Sequence, residues 1–96
     1  METDSKEYSW AWVTADRLLT DHECELVYAY MAVSGAETDT HLRNGVDANA
    51  DIVVTLKSAV VTGLPFSPPV PIYCRKGLFA DIGSATSGLL VVWRNL

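Results

Sequence analysis

Cys24, Cys74, His22 and His41 have the widest chemical reach in this chain, because thiolates and imidazoles serve as nucleophiles, bases and metal ligands. A four-ligand zinc site would need all of them, and their spacing contains neither a C-x-x-C nor an H-x-x-x-H element. A cysteine nucleophile needs a base and an orienting group beside it, yet both histidines fall in stretches that read as polar loops. No G-x-S-x-G turn and no Gly-rich phosphate loop occurs either. Each cysteine lies on a predicted strand among apolar neighbours, which predicts two buried free thiols in a protein made in a reducing cytoplasm. A disulfide between them would require Cα atoms within about 7 Å, a distance that sequence does not set.

The acidic residues read as structural. Asp47-Ala48-Asn49-Ala50-Asp51 has oxygen ligands at alternate positions, like a calcium loop, but Ile52 and Ser58 stand where such a loop needs Gly and Glu. Asx side chains that cap turns account for it better. Asp16, Asp21, Asp39, Asp47, Asp51 and Asp81 fall mostly in predicted turns, with no sign of the cleft that two catalytic carboxylates require. The expectation is a protein that is not an enzyme, with no catalytic, cofactor-binding or metal-binding residue and no cofactor.

What remains is aromatic. Tyr8, Trp10 and Trp12 alternate with small residues, so a strand here puts all three on one face. The area that aromatics bring to cores favours burial of this stripe. Exposure would instead make Tyr8, Trp10 and Trp12 an interface, since Trp and Tyr are enriched among residues that anchor partners.

The elements that would position these residues are short strands. The run 24–34 is apolar on both parities, with Leu26, Tyr28 and Tyr30 on one and Val27, Ala29, Met31 and Val33 on the other, as in a central strand. Residues 17–20, 41–45 and 51–57 read as further strands, the second ending in an Asn44-Gly45 turn. Pro65, Pro68, Pro69 and Pro71 predict a shaped loop or an edge, where missing N–H donors do no harm. In 72–82, Ile72, Cys74, Leu78, Ala80 and Ile82 share the better-buried parity. Small residues at 83–88 and the β-branched run 89–93 then predict a closing hairpin. Seven to nine such segments make an all-β fold, a compact antiparallel β-sandwich or jelly-roll-like barrel.

Composition bounds the rest. The chain has 96 residues, one domain's worth: a polar arm at 1–7, predicted to be flexible, and a single β-sandwich domain at 8–96. The net charge of −5 argues against nucleic acid, whose binding draws on Lys and Arg. No apolar run approaches the ~20 residues of a membrane-spanning helix, and the acidic start lacks the basic and apolar regions of a secretory signal. The expectation is therefore no nucleic-acid and no membrane partner.

The order of elements resembles small β-sandwich structural proteins, of the head decoration or cement kind, of tailed bacteriophages. The resemblance rests on Tyr8-Ser9-Trp10-Ala11-Trp12-Val13-Thr14-Ala15, on Leu42-Arg43-Asn44-Gly45, and above all on Pro71-Ile72-Tyr73-Cys74-Arg75-Lys76-Gly77-Leu78-Phe79-Ala80-Asp81-Ile82-Gly83-Ser84 leading to the strand that ends at Trp93. It implies a virion protein made in the host cytoplasm and carried on the capsid exterior. The partners it implies are the major capsid protein and further copies of the chain as a homo-oligomer. A carbohydrate- or receptor-binding module using Tyr8, Trp10, Trp12, Tyr73 or Trp93, and a tail or neck component of the same fold, stand as alternatives.

Overall fold

The structure is a computed structural model that describes residues 7–35 and 37–96; all of the polar arm except Glu7 lies outside the described residues. Nine strands follow one another: β1 (Ser9–Val13), β2 (Arg17–Thr20), β3 (Cys24–Val33), β4 (Thr38–Asn44), β5 (Asp51–Ser58), β6 (Thr62–Phe66), β7 (Ile72–Cys74), β8 (Leu78–Asp81) and β9 (Thr86–Asn95). They form two antiparallel sheets, as the strand-length apolar bursts predict. The five-stranded sheet runs β1-β9-β3-β6, with β7 also paired to β3, and the four-stranded sheet runs β2-β8-β4-β5.

The predicted closing hairpin does not form. β8 belongs to the four-stranded sheet and β9 to the five-stranded one, so the 83–88 segment carries the chain across the sandwich. Side chains direct that crossing: the Ile82 N–H donates to Asp16 Oδ1 at 2.8 Å and the Gly83 N–H to Thr40 Oγ1 at 3.0 Å, holding the chain away from β8. A buried trio of hydroxyls, Thr86 with Thr38 (3.0 Å) and Thr40 (2.8 Å), then stitches β9 to β4 across the sheets. The stretch 72–82 also breaks in two at Gly77, whose φ of +123° only glycine adopts readily. The Asn44-Gly45 turn likewise gives way to a longer loop from Gly45 to Ala50. In it the Asn49 N–H donates to Asp47 Oδ1 at 2.9 Å, the Asx turn expected of this segment.

β3 is central, flanked by β9 on one side and by β6 and β7 end to end on the other. Its faces differ from simple alternation. A bulge between Leu26 and Tyr28 shifts the parity, so Cys24 and Leu26 join Ala29, Met31 and Val33 in the core while Tyr28 and Tyr30 turn outward. The core closes with Ala11, Val13, Leu89, Val91 and Trp93 from the same sheet and Leu42, Leu56, Leu78 and Ala80 from the other. The proline segment forms the β6–β7 edge, with Pro65 inside β6. Proline is tolerated there because an edge strand has one side without a neighbour to receive its N–H groups.

Candidate interaction surface

The register of the five-stranded sheet assembles an aromatic field on its outer face. Trp12 lies opposite Leu90, which lies opposite Tyr30; Trp10 lies opposite Val92, which lies opposite Tyr28. Beyond them, Glu25 faces Arg94 on one side and Tyr73 on the other, and Tyr8 lies over the Arg94 guanidinium at 5.7 Å. The chain has four tyrosines and three tryptophans, and all except Trp93 sit on this face. The N-terminal aromatic stripe is therefore not buried as its area favours: Tyr8 is 62%, Trp10 70% and Trp12 48% exposed. Their parity points away from the four-stranded sheet, and Ala11 and Val13 of the same strand take the places in the core.

Two glycines shape the field. A Cβ on Gly88 would fall 1.9 Å from the Trp12 ring, and one on Gly63 would fall 1.8 Å from the Tyr30 hydroxyl. Both rings therefore lie across bare backbone, a packing that covers a glycine in a sheet with an aromatic neighbour. Trp12 and Tyr30 are held flat while Trp10 projects further.

Polar contacts fix one end. Arg94 forms an ion pair with Glu25, which raises the guanidinium pKa further and leaves Arg94 a permanent cation beside the aromatic rings. The Tyr73 hydroxyl donates to Glu23, and this bond raises its pKa above the ordinary phenol value by favouring the protonated form.

The outer face of the four-stranded sheet is different in kind. Asp39 faces Lys57 and His41 faces Thr55, with His41 Nδ1 2.9 Å from Thr55 Oγ1. Arg43 donates through Nε and Nη2 to Asp81 Oδ2 at 3.1 and 3.0 Å and through Nη1 to the Ala50 carbonyl at 2.8 Å. This face is mixed, with exposed Leu18 and Ile52 in one row with Phe79 and Arg43 and a single ion pair from Arg43 to Asp81 among the described residues; the other is aromatic.

The histidines and cysteines do not converge on one centre. His41 sits on β4 rather than in a loop, and His22 lies beside Asp21 at 3.6 Å in the turn before β3. Cys24 and Cys74 are free and buried. Among the described residues no group of three or more His, Cys, Asp or Glu side chains is placed to hold a metal ion. A shallow cleft of about 260 Å³ between Asn44, Gly45, Asp47, Asp51 and Lys76 is bordered chiefly by the loop's own turn residues.

Sequence reasoning found Tyr8, Trp10, Trp12 and Tyr73 but missed Tyr28, Tyr30, Glu25 and Arg94, whose place depends on the bulge and on strand order. It also counted Trp93 among possible sugar-stacking residues, and that ring is in the core at 7% exposure. No family model matches the chain, and no curated protein or solved structure matches it either. Fold and surface together define the class: an antiparallel β-sandwich with one aromatic outer face.

Proposed function

We propose that this chain is a non-enzymatic structural protein of a virus particle, a capsid decoration protein that docks on the exterior of a phage head through the outer face of its five-stranded sheet. The observation that carries the docking surface is the segregation of six Tyr and Trp side chains onto that face, with none on the outer face of the other sheet. Aromatic side chains offer about 150–250 Å² each and few rotamers to freeze, which makes them efficient anchors on a protein surface. The Arg94–Glu25 pair at the margin suits the polar rim of such an interface. The capsid as partner rests on the resemblance of the 71–84 element and its neighbours to phage structural proteins. Symmetric copies, each held weakly, would reach stable attachment together.

The test is co-sedimentation with purified particles of the encoding virus, using the full chain and a Trp10→Ala/Trp12→Ala double variant. High, symmetric copy number for the wild type and at least a ~10-fold loss for the variant are expected, with stability lowered by about 1–2 kcal/mol, chiefly through Trp12, which is half-buried over Gly88. A few copies per particle would move the protein to the tail or neck. The exposed rings of Trp10 and Trp12 also favour a second reading, a glycan-binding module. A tryptophan fluorescence change with glycans but no particle binding would select it.

A further inference from the structure

Cys24 and Cys74 occupy directly opposed positions on β3 and β7. Opposed residues of an antiparallel pair have Cα atoms about 4.5–5.5 Å apart, inside the span a disulfide bridges. Both side chains point to the inner face and are fully buried, so they approach from the same side of the sheet. Cys74 Sγ donates to the Ile72 carbonyl at 3.7 Å. β7 has three residues and follows the proline segment, so its pairing with β3 and the Tyr73–Glu23 bond are what fasten this end of the edge. We propose that Cys24 and Cys74 are a site of reversible intrachain disulfide formation that latches the β6–β7 edge to the central strand.

The order of events follows from the environment. The hydrogen bond to Cys74 and burial push the Cys24 thiol well above its usual range, while the same contact lowers Cys74. Cys74, carried on the short edge strand that must open, is the thiol that meets an oxidant first and attacks it as the thiolate. With a low-molecular-weight disulfide such as oxidised glutathione, Cys74 sulfur bonds to one glutathione sulfur and the S–S bond of the oxidant breaks, releasing one glutathione thiolate. The Cys24 thiolate, once it has lost its proton, attacks Cys74 sulfur and expels the second glutathione. Two protons and two electrons pass from the cysteine pair to one oxidised glutathione, which leaves as two reduced molecules. Since neither sulfur is exposed, exchange requires β7 to lift from β3, and its rate scales with the population of that opened state.

The biological setting this suits is a protein folded with free thiols in a reducing cytoplasm and later released into an oxidising medium. The bond would close a loop of about 50 residues, long enough for a large entropic gain in stability.

The experiment incubates the purified full chain with oxidised glutathione and maps its peptides by mass spectrometry without reduction. A loss of about 2 Da, a Cys24–Cys74 linked peptide, a monomeric mass and a thermal midpoint raised by on the order of 10 °C are expected, all reversed by dithiothreitol. Cys24→Ala leaves Cys74 without a resolving thiol and is expected to accumulate one glutathione adduct. If that variant fails to fold, the wild-type peptide map still decides. Stable glutathione adducts on the wild type, cross-links between chains, or free thiols persisting after incubation in enough urea to open β7 would each overturn the latch.

Discussion

Gly77 sits at the break between β7 and β8, where only glycine fits. Its φ of +123° and the backbone around it leave no room for a side chain: a Cβ would fall 2.6 Å from the Thr20 carbonyl and 3.1 Å from that of Gly45. Gly77→Ala is expected to cost roughly 2–4 kcal/mol, read as a thermal midpoint lowered by about 10 °C or more. Tyr73 offers a different readout. Its pKa is raised by the bond to Glu23, so the stabilisation is fully present below the ordinary phenol pKa near 10 and is lost as pH rises through the higher folded value. Titrating tyrosinate absorbance should therefore show a late-ionising component among the four tyrosines, and Tyr73→Phe should remove it.

At the scale of elements, the edges govern behaviour. Both ends of the five-stranded sheet are edges, β1 on one side and β6 with β7 on the other. The second is protected by Pro65 within β6 and by Pro68, Pro69 and Pro71 between it and β7, positions that offer no N–H to an incoming strand. Replacing Pro65 and Pro71 together with threonine restores two donors and favours extended backbone. Concentration-dependent association, measured by light scattering, is the expected result. The proline cluster was legible as an edge from sequence alone, because a missing donor has the same consequence in any sheet. The bulge in β3 was not, since Val27 is chemically no different from the strand residues around it and only the pairing with β9 shows it as the extra one.

Across the whole molecule, chain order and spatial order diverge. Six of the eight connections pass from one sheet to the other, and among the described residues β4–β5 is the only hairpin between consecutive paired strands. β1 pairs with β9, so the N-terminal strand completes the sheet begun at the opposite end of the sequence. Deleting residues 1–12 would remove Ala11 from the core, strand Val13 and bare one side of β9. A loss of at least ~3 kcal/mol, or of cooperative unfolding altogether in a denaturant titration, is expected. A truncation of that extent therefore cannot separate attachment from folding, and point changes at Trp10 and Trp12 can.

The sequence by itself determined the class of fold, because period-two patterning, β-branched runs and turn residues act locally and need no partner to be read. It determined the central strand, the proline edge and the better-buried parity of Ile72, Cys74, Leu78, Ala80 and Ile82. Tertiary structure decided which strand met which, and so placed β8 and β9 in different sheets where local signals predicted a hairpin. It decided too that Tyr8, Trp10 and Trp12 face solvent, for alternation fixes which residues share a face but not which face another sheet covers. The meeting of Cys24 with Cys74 likewise depends on a register between strands about 50 residues apart, which no local pattern encodes.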